Sequence, residues 1–277
     1  MFRSVKHVQL RKCGFVSERI GGWKQQYHTT TACNKLLKRK NPDDYLKSES
    51  PYFTHDRIKE GEYPIVNQFK SVDTTKIQVP HYYESMISEY SNSLELVTNA
   101  DDLARIRKVN KLAAEVLRYA GTLVKEGVTT EEIDSKIFDY IVSWLSKLES
   151  DGSQQISRGA YPSPLRYNKF SQSVCTSINE VMVHGIPDLR PLKHSDVINV
   201  DVTVYLDGFH GDTSRTFIVG LENEEEKGMI REEYKTLVQV ARQALWEGIK
   251  VCGPGVPLRS KFSTCLSYIL IRNWMCH

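Results

Sequence analysis

A strictly alternating segment near the middle of the chain constrains its fold more than any other feature. Apolar side chains occupy every second position of this segment: Ile198, Val200, Val202, Val204 and Leu206. A period of two predicts a β-strand with one buried face. Asp207-Gly208 follows directly and favours a tight turn, because both central positions of a type I′ turn have positive φ. The segment 198–217 is therefore predicted to be a β-hairpin.

The register of this hairpin decides where its two acidic residues point. If Asp207 and Gly208 alone form the loop, Asp201 faces Ser214, and Asp212 shares the face of Asp201. Diagonal neighbours of this kind lie roughly 7–8 Å apart, so both carboxylates could bind one divalent ion, or two ions about 3.5–4 Å apart. The alternative is a solvated face of a half-buried sheet, and the spacing of the two aspartates does not separate these possibilities.

Two histidines lie near these residues in the sequence. His184 precedes Gly185 and Pro187, which end regular structure, and is expected at a strand end. A histidine there could donate a hydrogen bond to a substrate or transfer a proton, although a surface role is also open. His210, inside the hairpin, is interpreted as structural.

Helical periodicity on both sides of the hairpin predicts an α+β fold. One apolar stripe begins near Thr98, and a second helix is predicted to start at Thr129, which forms a capping-box pattern with Glu132. A third helix is predicted from about Glu224 to Gly248, with Ile230, Tyr234, Leu237, Val238, Ala241 and Leu245 on one side. A Gly-Val turn follows both the first and the third helix, which indicates either a duplicated unit or chance.

The charge distribution separates the N-terminus from the rest of the chain. Residues 1–42 contain ten Lys or Arg and one acidic residue, a composition typical of a mitochondrial transit peptide, predicted to span about residues 1–40. A basic tail that binds nucleic acid is the alternative. Residues 41–97 are predicted to be an extension that packs on or near the domain. The six cysteines lack paired spacing and are expected to be free thiols.

Two longer stretches carry a family resemblance. Ser173-Val-Cys-Thr-Ser-Ile-Asn-Glu-Val-Met-Val-His184-Gly-Ile-Pro-Asp and the hairpin sequence with its Asp201 and Asp212 spacing resemble the type I methionine aminopeptidases of peptidase family M24. The resemblance runs from about Asp101 to Arg259, and the presequence suggests the mitochondrial form. It implies the pseudo-twofold "pita-bread" (creatinase/aminopeptidase) fold within a catalytic domain at residues 98–260.

The same resemblance implies a site and a reaction. Asp201 and Asp212 would be two of five protein ligands to a pair of divalent ions (Co, Mn, Zn or Fe), and His184 would contact the substrate and help transfer the proton. Three further residues match positions that line the methionine pocket: Tyr167, Phe170 and Cys175. Lys169, Ser171 and Gln172 depart from the family pattern in that loop. The implied reaction is removal of the initiator methionine from nascent proteins in the mitochondrial matrix, with no nucleic-acid partner and no membrane span.

The family pattern is expected to stop after Arg259. The ligands that the family supplies later, one His and two Glu, find no match in the tail 261–277. The N-terminal half of the fold is therefore expected to be essentially complete and the C-terminal half missing, which predicts an inactive chain. Two alternatives stay open: a peptide- or protein-binding module without catalysis, and a prolidase-type peptidase of the same fold.

Overall fold

A computed structural model describes residues 62–66, 68–88, 97, 99–144, 159–221 and 230–275. The predicted transit peptide lies outside these residues. The helices are α1 (Ala100–Leu123), α2 (Thr130–Val142), α3 (Glu232–Lys250) and α4 (Leu258–Met275). The strands are β1 (Tyr161–Pro162), β2 (Cys175–Ile178), β3 (Val197–Leu206) and β4 (Phe209–Ile218), and a short 3₁₀ turn spans Tyr167–Lys169.

The predicted hairpin is confirmed in its register as well as its position. β3 pairs with β4 along one edge and with β1 and β2 along the other, all antiparallel. Leu206 lies opposite Phe209 and Asp201 opposite Ser214, as a two-residue loop requires. Asp207 and Gly208 have φ values of 52° and 92°, so both turn positions are in the left-handed region that this sequence favours.

The first two helices cover the apolar face of the sheet. The even-numbered residues of β3, from Ile198 to Leu206, are at most 1% exposed and pack against the apolar stripes of α1 and α2. Thr129 Oγ1 accepts a hydrogen bond from the Glu132 N–H at 3.1 Å. The Glu132 side chain instead binds Lys136 at 2.6 Å, so only half of the predicted capping box forms.

A glycine allows the hairpin to approach α1 closely. A Cβ atom at Gly211 would lie 2.7 Å from the backbone carbonyl oxygen of Val109. A side chain at this position would therefore push β4, the strand that carries Asp212, away from the helix.

The third predicted helix exists, but it begins at Glu232 rather than near Glu224, and residues 222–229 lie outside the described part. Its small residues Ala244 and Gly248 are the buried ones, whereas Leu237 and Leu245 are 63% and 57% exposed. The helix contacts α4, where the Tyr268 hydroxyl donates to Gln243 Oε1 at 2.6 Å. The predicted apolar side of this helix is therefore only partly covered, since Tyr234 and Val238 on the same side are half-buried.

The segment 68–88 packs on the domain, as predicted for part of the extension. Ile77, Tyr82 and Tyr83 are buried, and Ile77 forms a parallel bridge with Gly159. Within the described part of the chain, no helix combines the length and apolarity needed to cross a bilayer.

Candidate functional site

The two aspartates of the hairpin lie together on the polar face of the sheet. Asp201 is half-buried and Asp212 is exposed, and the two carboxylates are close enough for the charge of Asp212 to raise the pKa of Asp201. Thr203 lies opposite Asp212 in the ladder, and its hydroxyl donates to Asp212 Oδ1 at 2.9 Å. Asp201 and Asp212 thus share one face of the hairpin, as predicted from its two-residue loop.

The electrostatics of this pair fit a bound cation. Burial raises the pKa of Asp201, and the adjacent Asp212 charge raises it further, while the His184 charge opposes both effects. Carboxylate oxygens are ligands for hard or borderline divalent ions, and such an ion would offset the repulsion between the two carboxylates. Among the described residues, no third His, Cys, Asp or Glu completes a three-ligand group. The donor set therefore suits a metal ion but is only part of a site.

Removing the charge at residue 201 should stabilise the metal-free protein at neutral pH. Because folding raises the pKa of Asp201, the folded protein holds this proton more tightly, and the ionised carboxylate opposes folding once pH exceeds the unfolded pKa. We expect Asp201→Asn to raise Tm at pH 7 in EDTA, and the gain to shrink towards about pH 3, where both states are protonated. Thermal melting across this range measures it. A lower Tm of Asp201→Asn at pH 7 would show that the ionised Asp201 carboxylate does not destabilise the folded protein.

His184 lies in the loop that connects β2 to β3 and is exposed. It was predicted at a strand end, but β2 already ends at Ile178. The loop folds back onto β2, because Thr176 N–H donates to the Gly185 carbonyl at 2.9 Å. A Cβ atom at Gly185 would lie 2.1 Å from the Thr176 carbonyl oxygen, so only glycine permits this approach and brings His184 within electrostatic range of Asp201.

A buried ion pair closes the same loop. Arg190 donates to both carboxylate oxygens of Asp196, at 2.6 and 3.1 Å, and both side chains are buried. The Asn179 side chain and the Lys193 N–H donate to the same carboxylate. This network fixes the two ends of the loop that carries His184.

The three predicted pocket residues lie at two places, on β2 and at the 3₁₀ turn. Cys175 lies directly opposite Asp201 in the β2–β3 ladder. Burial raises the pKa of its thiol to about 12, helped by Asp201 and other nearby acids, so the thiol stays neutral. Tyr167 and Phe170 lie at the 3₁₀ turn, where the Phe170 N–H donates to the Tyr167 carbonyl at 2.9 Å.

Tyr82 links this turn to the hairpin. Its ring meets the Tyr167 ring edge-on at 5.1 Å and stacks on His210 at 6.4 Å. His210 Nδ1 lies 2.9 Å from Ser163 Oγ, and burial lowers the pKa of the imidazole. These contacts agree with the structural interpretation of His210.

The buried carboxylate of Asp134 was not predicted from the sequence. Its position in α2 places it on the same side as Ile137 and Ile141, and it is fully buried. A charged residue at a core-facing position of a predicted helix was the available signal, because such a group must be paired or hydrogen-bonded.

Comparisons with known proteins agree with the geometry. A family model described as metallopeptidase family M24 matches residues 104–272, a range that includes residues 261–272, where the resemblance was expected to have ended. Methionine aminopeptidase 1B (chloroplastic) of Arabidopsis thaliana is 46% identical over 180 residues, 65% of this chain and 43% of that protein. Methionine aminopeptidase 1D (mitochondrial) of Mus musculus is 43% identical over 199 residues, 72% of this chain and 52% of that protein.

A solved structure supports the same assignment. The crystal structure of methionine aminopeptidase from Rickettsia prowazekii aligns with a TM-score of 0.52 at 36% identity, covering 63% of this chain and 62% of that one. The chain spans about half the length of the curated relatives it matches. With more than half of its residues inside the family match and an α+β pita-bread architecture, the chain belongs to metallopeptidase family M24.

Proposed function

We propose that this chain contributes the Asp201–Asp212 part of the metal site of an aminopeptidase that removes the N-terminal methionine from nascent proteins. The observation that carries the proposal is the hairpin register, which sets Asp201 and Asp212 on one face with Cys175 opposite Asp201. Relatives at 42–46% identity that are named methionine aminopeptidases support it.

Each site residue has a proposed role. Asp201 and Asp212 would hold the divalent metal, with Mn, Co, Zn or Fe as candidates and two ions as the expected number. When bound, the metal would polarise the scissile carbonyl and lower the pKa of a bound water. His184 would donate a hydrogen bond to the substrate and help transfer its proton, while Tyr167, Phe170 and Cys175 would contact the methionine side chain.

Turnover of Met-Ala-Ser tests this function. Because the described residues supply two carboxylates and no further ligand group, we expect the 277 residues alone to release no methionine with Mn²⁺ or Co²⁺. A chimera that joins residues 62–257 to the remaining catalytic part of the Arabidopsis relative should release it, and Asp201→Asn should reduce its rate about 10³-fold.

The controls separate the alternatives. Lys-Ala-Ser should not be cleaved by the chimera. An inactive chimera that is folded and binds metal would contradict the proposed function, and metal-independent peptide binding by it would favour a binding module instead.

We also propose that the protein acts in mitochondria, with the matrix as the expected compartment. Two mammalian relatives are named mitochondrial, and residues 1–42 have the composition of a transit peptide. A fluorescent protein fused to residues 1–60 should colocalise with mitochondria, and deletion of residues 1–40 should abolish this. Unchanged localisation after the deletion would refute the presequence.

A further inference from the structure

The buried carboxylate of Asp134 connects the segment 68–88 to the body of the domain. Asp134 is 0% exposed, and its Oδ2 atom forms an ion pair with Lys70 Nζ. The Lys70 side chain is 19% exposed, and its ammonium also lies over the Phe138 ring, 5.7 Å from the centroid. Helix α2 thus receives a cation from a part of the chain 64 residues away.

The other oxygen of Asp134 holds the strand that enters the site. Oδ1 accepts hydrogen bonds from the N–H groups of Ser173 and Val174, at 2.7 and 2.9 Å. These residues directly precede Cys175, which lies opposite Asp201. The carboxylate therefore fixes the backbone at the point where the loop from Tyr167 becomes β2.

A second acid on α2 extends the same attachment. Glu131 Oε2 accepts from Gln172 Nε2 at 2.7 Å, and Glu131 Oε1 lies 3.5 Å from Lys70 Nζ. The Gln172 amide also donates to the Val66 carbonyl at 3.2 Å. Three consecutive residues, 172 to 174, are consequently held by α2, with Lys70 as the shared cation of both acids.

The charge of Lys70 is what keeps this attachment strong. Burial drives the pKa of Asp134 upward, while Lys70 and the two N–H groups favour the ionised form. An ionised carboxylate accepts hydrogen bonds more strongly than a neutral acceptor. Without the ammonium, the buried group would become neutral or remain as an unpaired charge, and either change would weaken its bonds to Ser173 and Val174.

We propose that Lys70 and Asp134 are positioning residues for the methionine pocket, and this rests on the proposed function. The pair sets the loop from Tyr167 to Cys175 against β3, so that the pocket residues keep a fixed distance from Asp201 and Asp212. The segment 68–88 then contributes to the site, because it supplies the Lys70 ammonium that keeps Asp134 ionised and bonded to Ser173 and Val174.

Amide hydrogen exchange measured by NMR on the 277-residue protein tests the attachment directly. Lys70→Met should speed exchange at Ser173 and Val174 about tenfold, the difference between a charged and a neutral acceptor. Exchange at the centre of β3 should not change. Lys70→Arg retains the charge, so its amides at Ser173 and Val174 should exchange at the rate of the unmodified protein. Lys76→Met is the matched control, because Lys76 is 71% exposed and forms an ion pair with Asp73 on the surface.

Binding of Met-Ala-Ser in the presence of Mn²⁺, measured by calorimetry on the same variants, tests the link to the pocket. Lys70→Met should weaken the affinity about tenfold, and neither Lys70→Arg nor Lys76→Met should change it. If Lys70→Met does not fold, Lys70→Met/Asp134→Asn removes the unpaired charge and should still show faster exchange at residues 173 and 174.

Three results would overturn the proposal: unchanged exchange at residues 173–174, a uniform rise throughout the sheet, or local loosening with unchanged peptide affinity. Failure of the unmodified protein to bind the peptide would count against the proposed function and with it against a pocket role. The exchange data would still decide in that case whether Lys70 anchors the loop.

Discussion

Asp212→Asn is expected to weaken Mn²⁺ binding by at least about 100-fold, because it removes one of the two carboxylates that can share an ion. Asp201 would then face a neutral amide, and the ion would lose both a ligand and half of the compensating negative charge. Isothermal titration calorimetry on protein stripped with EDTA measures the change. Circular dichroism should show an unchanged fold, since Asp212 is exposed and makes one hydrogen bond to Thr203.

Asp207→Asn is the matched control for this experiment. Asp207 belongs to the same hairpin, but it lies at the turn and pairs with Lys108 at 2.8 Å. Asparagine tolerates the positive φ of this position, so the hairpin should be kept and Mn²⁺ affinity should stay within about twofold. Equal loss in both variants would mean that metal binding follows the overall charge of the hairpin, and not the Asp201–Asp212 pair.

Among these substitutions, Arg190→Met is expected to lower the free energy of unfolding the most, by about 3–5 kcal/mol. The substitution removes the two hydrogen bonds of the guanidinium to Asp196 and leaves that carboxylate buried without its cation. Denaturation with urea at pH 7 measures the loss. Arg118→Met is the control, because Arg118 is exposed on α1 and its replacement should cost no more than about 0.5 kcal/mol.

The cost of Arg190→Met should depend on pH in a defined direction. Burial alone would raise the pKa of Asp196, but hydrogen bonds from Arg190, the Lys193 N–H and Asn179 lower it below its ordinary value. The pair therefore stabilises the fold fully above about pH 4, and this contribution is lost as pH falls through the lowered pKa. The difference in the free energy of unfolding between the unmodified protein and Arg190→Met should shrink in acid. A difference that stays constant with pH would mean that packing, and not charge, causes the loss.

The hairpin could be predicted from the sequence because all of its signals are local. Alternation fixes which residues of β3 are buried, and Asp207-Gly208 fixes the loop length. Together these two features determine the parity that puts Asp201 beside Asp212. The helices α1 and α2 were predictable for the same reason, since their stripes and their caps lie within a few residues of each other.

The polar attachments could not be predicted from local patterns. Lys70 and Ser173 are 64 and 39 residues from Asp134 in the sequence, and nothing near Asp134 indicates that they will meet it. Arg190 is only six residues from Asp196, but the loop that joins them has no periodicity that would pair the two side chains. The face that α3 buries was also undetermined, because its pattern contains both a leucine side and the small residues Ala244 and Gly248. Tertiary packing decides between such faces.

Anomalous scattering from crystals grown with Mn²⁺ tests most directly whether Asp201 and Asp212 together hold a divalent ion. We predict a peak at the manganese edge within about 2.0–2.6 Å of carboxylate oxygens from both residues, and its loss in Asp212→Asn. A fully occupied peak elsewhere, or no peak between the two carboxylates at saturating Mn²⁺, would contradict the assignment.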